Sequence, residues 1–425
     1  MLFSVIIICL LAFASSKPCD TEVSNSDLLL SLNKDLLRSL EGQEGLPNPS
    51  VHLGLRLSNY HNLAKESEHL NRLRTNLHND IENSLSNSQS VVGLLALYTL
   101  ALKSSCYDLN TVTFTVNKRS STLLTSLKKQ MEQEKDYVAL NHRPLSNYYQ
   151  YSLGVLALCA SSVRVNNHVT NKLIKAVKQD YFKSGHSECI DTYAMAGMAL
   201  QCVKDSGSHV QNVVQLHEAL DKIKQKLLAS SGADGHIGNK FSTGLAVQAL
   251  LAMGTQIEEC AASMEAMRTD ARSNTYHNPM ALSQILPALQ QKSYLTVISK
   301  ECHNEDDTLV LTIDPVVVLP SETKVKVMVE VVMTSGATAL YSVDVPKGSS
   351  LLEALELLME INIGFTFEVE SSLWGSFLSV VNGEQARQSD RRYWHLSSDG
   401  TALSEGIQDF KIEAAQKITV KNISY

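Results

Sequence analysis

Apolar residues recur along positions 24–299 at the three-and-four spacing of buried helix faces. Six short segments in that stretch look alike: 51–57, 92–98, 152–158, 195–200, 243–250 and 282–289. Each is apolar nearly all round, with Gly and Ala interleaved, which predicts a helix buried on every side. More polar stretches lie between them, such as 169–180 and 213–228, and predict helices with one solvated face. The alike segments recur every roughly 40 to 60 residues, a helical-hairpin period. Six inner and six outer helices would close into an α6/α6 barrel. An open solenoid shows the same period, and period alone does not decide between them.

The pattern changes beyond residue 306. Segments 308–313 and 324–332 are β-rich and partly alternating. Residues 349–361 read as one amphipathic helix capped by Ser349 or Ser350. Segments 365–369 and 377–381 predict further strands, the second ending at the hairpin signal Asn382-Gly383. The chain is therefore expected to be mainly α, with an α6/α6 barrel over 17–303, a linker over 304–322 and a small α+β domain over 323–425. The acidic run at 304–307 reads as a solvated cluster in that linker. Both tryptophans, Trp374 and Trp394, fall in the small domain, where they serve either an interface or its core.

The entry to the chain has its own signature. Residues 2–14 are apolar apart from Ser4 and Cys9, too short to span a bilayer, and lead into Ala14-Ser15-Ser16. Residues 1–16 are read as a secretory signal, which implies a secreted protein without membrane insertion. In an oxidising compartment the seven cysteines beyond the signal suggest three bridges and one leftover, with pairing left open by spacing. The absence of a Cys-x-x-Cys pair argues against the common zinc sites. Composition adds two exclusions. At 44% hydrophobic the 425-residue chain is not disordered and has material for two cores. Its 37 basic against 44 acidic residues show none of the basic excess that nucleic-acid binding uses.

Several motifs then occur in one order. The first is 146–159. The second is 187–202, containing Asp191-Thr192-Tyr193-Ala194-Met195-Ala196-Gly197. Segments 235–248 and 278–287 follow, then Leu373-Trp374-Gly375, Tyr393-Trp394 and Leu403-Ser404-Glu405-Gly406. Together they resemble the vertebrate cobalamin (vitamin B12) carriers, the family of transcobalamin, intrinsic factor and haptocorrin, and transcobalamin most in kind. The resemblance covers nearly the whole mature chain. Each motif is weak alone, and the ordered set is specific. Ile190 stands where the family signature has valine, and Leu94 stands where transcobalamin has a glutamine, which implies one fewer hydrogen bond to the ligand.

The resemblance implies a barrel and a small domain with cobalamin, cobalt included, held between them. It implies transport without catalysis, and uptake through a cell-surface receptor for the loaded carrier. The implied bridges are Cys19–Cys260, Cys106–Cys302 and Cys159–Cys202, leaving Cys189 unpaired and either near the ligand or a small buried hydrophobe. Tyr149, Gln150, Asp191, Asn239 and Gln284 would pair with the corrin amides, each pair worth about 1 kcal/mol net. A helix cap or a locally satisfied core group is the plainer role for each. Gly197 and Gly244 would let a bulky ligand approach. Trp374, Leu378, Trp394, Leu396 and Leu403 would form an apolar lid. His186, in a polar loop before Asp191, would be an axial ligand of cobalt through a neutral imidazole nitrogen. Its gap to the aspartate is longer than in transcobalamin by about one residue, so a solvated loop histidine is the other reading.

A secreted α/α-barrel glycosidase is the alternative. It needs two carboxylates across the sugar bond, and the motifs offer Asp191 and Asp234 but no pair at matching positions. A thioester-type barrel would need a Cys-Gly-Glu-Gln run, which is absent. Asn422-Ile423-Ser424 is the single glycosylation sequon, marking Asn422 as the expected glycan acceptor.

Overall fold

The computed structural model describes residues 26–41, 47–86, 90–116, 119–184, 187–207, 212–255, 258–311, 323–372, 375–387 and 390–424. The expected signal segment, Cys19 and the most linker-like stretch at 315–322 lie outside the described residues.

Six helices correspond to the six alike segments: α2 (Pro49–Leu57), α4 (Val92–Ser104), α6 (Tyr148–Ala160), α8 (Ile190–Asp205), α10 (Ser242–Ala252) and α12 (Pro279–Leu289). Six others alternate with them: α1 (Ser26–Arg38), α3 (Leu63–Ser86), α5 (Leu123–Asn141), α7 (Asn167–Lys178), α9 (Val213–Ala229) and α11 (Glu258–Arg272). Their starts are written in asparagine. Asn48, Asn147, Asn166 and Asn278 each accept a first-turn N–H, at 2.8, 2.8, 2.9 and 2.7 Å. Such a cap is worth about 1 kcal/mol. Pro49 and Pro279 follow two of them, where a missing N–H costs nothing.

Each helix of the first set packs on the next, and α12 returns to pack on α2. The ring is closed, which decides for the barrel over the solenoid. Burial sorts the two sets. α4 buries every residue but Lys103, whereas α7 buries one stripe of Val169, Thr170, Leu173, Ile174, Ala176 and Val177. A 3₁₀ turn at Tyr294–Ile298 enters from the C-terminal end of the inner helices and touches α2, α4, α6 and α8. Tyr294 and Val297 are buried there, so that end is plugged and the opposite end, at the inner N-termini, is the mouth. Two short hairpins decorate the barrel: β1 (Thr113–Val116) with β2 (Arg119–Thr122), and β3 (Lys183–Ser184) with β4 (Ser187–Glu188).

Two bridges tie the ring, Cys106–Cys302 and Cys159–Cys202. Cys260 is also disulfide-bonded, and its expected partner Cys19 is not among the described residues. Cys189 carries a free thiol and is half-buried.

The small domain has a five-stranded sheet in the order β11-β10-β12-β5-β6, from β5 (Lys324–Val332), β6 (Thr338–Pro346), β10 (Arg392–Ser398), β11 (Thr401–Ala402) and β12 (Gln416–Ser424). β12 and β5 are parallel and the other neighbours antiparallel. Val327, Val329 and Val331 of β5 point one way by strand alternation, into a core shared with Ile418, Val420 and helix α13 (Leu351–Ile361). Ser350, the second of the two expected caps, closes a capping box with Glu353. A second sheet runs β7-β8-β9, from β7 (Phe367–Ser372), β8 (Gly375–Val381) and β9 (Glu384–Gln385). The predicted hairpin turn sits between the last two, with Asn382 and Gly383 at φ 49° and 79°.

Three expectations change. No strand forms over the described part of 308–313. Leu309 instead packs in the barrel core, its N–H bonded to His61 O at 3.0 Å. The acidic run is not simply solvated. Glu305, 7% exposed, meets Arg56 at 2.6 Å and Lys300 at 2.5 Å, so the barrel's packing runs past the expected start of the linker at 304. Asn422 is 3% exposed, and its Nδ2 donates to Glu384 Oε1 at 2.7 Å. That is the nitrogen a glycan would occupy, and the folded strand does not present it.

Arg56 centres a buried ion cluster of the barrel. Arg56 is 5% exposed and also meets Glu66 of α3 at 2.6 Å. Burial raises the Glu305 carboxyl, and the bonds from Arg56 and Lys300 overcome it and hold the group below the usual carboxylate range. Removing one partner of such a cluster leaves an uncompensated buried charge, at a cost of about 3–5 kcal/mol. Beside it, His52 and His69 face each other with Nδ1 atoms 3.3 Å apart, so one ring donates to the other, and His52 Nε2 is 2.7 Å from Ser105 Oγ. Burial, then the neighbouring His69 and Arg56, lowers His52 well below the ordinary value. Burial, then Arg72, lowers His69 from 6.5 to about 4. Both folded values lie below the unfolded ones, so the stability they carry is present above 6.5 and is lost as pH falls toward about 4. The thermal midpoint should fall through that window, and His69→Gln, which does not titrate, should flatten the slope; parallel pH profiles for the two proteins would contradict the assignment.

Candidate functional site

The barrel mouth collects first-turn residues of inner helices. Tyr149 and Gln150 are the second and third residues of α6, and Asp191 is the second of α8. Asn239 lies three residues before α10, and Gln284 sits a turn inside α12. Ring closure is what brings these five, spread over more than a hundred residues of sequence, to one end.

Asp191 is accessible at this mouth. The concave wall around it still strips water from the carboxylate and raises its pKa, while a hydrogen bond from the Ser242 hydroxyl of α10 offsets part of the rise. A carboxylate in the first turn also meets the positive end of α8. Tyr149 is half-buried beside it. Burial, then Tyr294 and Asp191, pushes its phenol well above the usual range, so it stays protonated. Gln150 leans across to α4: a Cβ on Gly93 would meet its Cγ at 2.9 Å. The neighbouring Leu94 is 9% exposed and supplies no polar atom there.

Asn239 takes the plainer role with half of its amide. Its Oδ1 accepts from Phe241 N at 2.8 Å and Ser242 N at 2.9 Å, which orders the start of α10. The loop before it is braced. His236 is held between Asp234 at 2.8 Å and Asp270 at 2.7 Å, and Tyr276 donates to the same Asp270 oxygen at 3.2 Å. Burial lowers the His236 pKa, but the two carboxylates outweigh it and raise the pKa. Gly238, at φ 77°, lies so close to Ile190 that a Cβ would come within 2.9 Å, so this loop rests on the start of α8. Asp234 is thus a structural partner of His236 and is not paired with Asp191.

Two residues that sequence reasoning missed form the floor. Gln248 of α10, fully buried, donates from Nε2 to Gln284 O at 2.8 Å and accepts from Tyr294 N at 3.1 Å. It ties α12 and the plug to α10, and Tyr294 supports Tyr149 from below. The available signal was a lone glutamine inside the apolar run 243–250. Gly197 and Gly244 serve packing instead of ligand approach. A Cβ on Gly197 would meet Ile223 of α9 at 3.1 Å, and one on Gly244 would meet Ile285 of α12 at 2.7 Å.

On the small domain Leu378 and Trp394 are 4% and 6% exposed and belong to its own core. Leu396 and Leu403 are half-buried on top of them and joined by a Leu403 N to Leu396 O bond of 2.9 Å. Trp394 Nε1 is buried without a hydrogen-bond partner among the described residues. Leu403 lies two residues before Glu405, which meets Lys240, the neighbour of Asn239, at 3.3 Å. Leu403 is thus on the loop that reaches Lys240 at the mouth, and Leu396 lies beside it on β10. Trp374 and His186 lie outside the described residues; the β3–β4 hairpin flanks the latter. Cys189, just before α8, has its thiol pKa raised by burial and by Asp191.

The family model of eukaryotic cobalamin-binding proteins matches residues 1–322, and a domain of unknown function matches residues 348–424. Transcobalamin-2 of Bos taurus is 33% identical, covering 96% of this chain and 95% of its own length. Transcobalamin-1 of Homo sapiens is 32% identical, covering 71% of this chain and 73% of its own. The crystal structure of haptocorrin in complex with Cbi matches with a TM-score of 0.75 at 24% identity, covering 96% of this chain and 100% of that one, which shows a shared fold. On the family match and the length of the transcobalamin match, this chain belongs to the eukaryotic cobalamin-binding protein family.

Proposed function

We propose that this chain is a secreted carrier that encloses cobalamin between the barrel mouth and the small domain and delivers it for receptor-mediated uptake. The observation that carries the reading is the convergence of Tyr149, Gln150, Asp191, Asn239 and Gln284 on one open barrel end beside the docked small domain. Their chemistry suits a ligand fringed with amides. Asp191 and the carbonyl oxygens of Gln150 and Gln284 accept N–H groups, while Tyr149 and the NH₂ of Asn239 donate to carbonyl oxygens. Burial of a large ring against Leu396, Leu403 and Leu94 supplies the apolar part. Carriage needs no general acid and base, and Asp234 is engaged by His236 instead of facing Asp191.

His186 remains the proposed axial ligand of the carried cobalt. In sequence His186 immediately precedes β4, which ends three residues before Asp191. Deep enclosure would exclude water from that bond, and an imidazole freed of its proton is the donor it needs.

Recombinant chain mixed with cyanocobalamin should carry the corrin absorbance through gel filtration, and Asp191→Ala should bind about ten- to a hundredfold more weakly by loss of a charged hydrogen bond. A wild-type protein that emerges colourless overturns the reading. His186→Ala should still bind aquocobalamin but with a visible spectrum shifted toward that of the free vitamin; identical spectra for variant and wild type would remove His186 from the cobalt.

A further inference from the structure

The two domains touch through a small polar patch at the start of α12. Asn278 uses one amide twice. Its Oδ1 caps α12, accepting from Met280 N at 2.7 Å and Ala281 N at 3.4 Å, while its Nδ2 donates to Asp409 Oδ2 of the small domain at 2.5 Å. Its neighbour His277 donates from Nε2 to Asp409 O at 2.7 Å and stands 3.8 Å from Glu405 Oε2. Lys240 meets Glu405 on the other side at 3.3 Å.

Both halves of the patch are rigidly mounted. Asp409 sits in a turn whose Phe410 N bonds Gly406 O at 2.9 Å. Leu351 N and Leu352 N, at the start of α13, reach Phe410 O at 2.9 Å and Ile407 O at 2.7 Å. Ile407 is buried in the small-domain core, so the turn moves with that domain. On the barrel side Asn278 begins the helix that closes the ring and carries Gln284. Asp409 is half-buried, and burial raises its pKa against the bond from Asn278. Without that donor the carboxylate would be left poorly compensated.

We propose that the Asn278–Asp409 pair, flanked by His277 and Glu405, is a latch that holds the small domain over the barrel mouth and sets how fast an enclosed ligand leaves. The kinetic half of this inference rests on reading the cleft as the cobalamin site. Asn278 and Asp409 act as positioning residues: they hold the lid, and the ligand-pairing groups lie elsewhere.

The test exploits the double use of Asn278. Asn278→Asp keeps an equally good helix cap but turns the donor into a second carboxylate facing Asp409. Release of bound cyanocobalamin should quicken by about tenfold or more, as expected for loss of a hydrogen-bonded charge across an interface. Combining Asn278→Asp with Asp409→Asn exchanges donor and acceptor and should return release to near the wild-type rate. Unchanged release in the single variant, or a double variant that releases as fast as the single one, overturns the latch. Small-angle scattering of the ligand-free proteins gives an independent reading. Asn278→Asp should have a larger radius of gyration than both the wild type and the double variant, and equal radii overturn the latch. Failure of the wild type to bind cyanocobalamin would instead overturn the carrier reading, and the scattering comparison would still decide the latch.

Discussion

The contact on which the architecture depends is the seam between α2 and α12. A Cβ on Gly54 would come within 2.9 Å of the Ser283 backbone, so the two helices approach as closely as a glycine permits. That approach closes the ring, and closure turns a repeat of helical hairpins into an enclosure. It also aligns the inner helices, so that their N-termini, with their exposed N–H groups and positive dipole ends, share one rim. The other end is filled by the turn at Tyr294–Ile298. A cup with a polar rim and a blocked base follows from one seam and one plug.

Charge holds the far side of this cup together. Arg56 on α2, Glu66 on α3 and Glu305 beyond the last barrel helix link segments nearly the length of the barrel domain apart. The Cys106–Cys302 bridge lies alongside, with Arg56 Nη2 3.5 Å from Cys302 Sγ. The chain that leaves the barrel for the small domain is therefore anchored at the base. At the mouth the two domains meet again through Lys240, His277 and Asn278. Attachment at two distant places restricts how the small domain can move relative to the rim.

Much of this was legible in the residues. The inner helices announced themselves because a segment that is apolar all round has no other stable place than a core. Strand β5 and the turn at Asn382-Gly383 were readable from alternation and turn chemistry, and the pairings Cys106–Cys302 and Cys159–Cys202 from family resemblance. What was not legible depends on partners far away in sequence. Leu309 has a strand-like setting but finds the barrel core. Glu305 sits in an acidic run yet is neutralised by Arg56 and Lys300. Gly197 and Gly244 are small because Ile223 and Ile285 press on them. Gln248 and Tyr294 acquire their places only once the ring is closed.

For the candidate site, the sequence made positions legible but not partners. Asp191, Tyr149 and Gln150, expected to pair with the ligand, sit in the first turns of α8 and α6, and Asn239 spends half of its amide on capping. Leu378 and Trp394 were expected as a lid, yet both are buried in their own domain's core, and Leu396 and Leu403 pack against that core while staying half-exposed. The central claim is that this closed cup and its docked domain hold a corrinoid without transforming it. Equilibrium dialysis of the fully oxidised chain against radiolabelled cyanocobalamin tests it most directly: retention of a single, chemically unaltered vitamin per chain is the predicted result, and equal label on both sides of the membrane would contradict it.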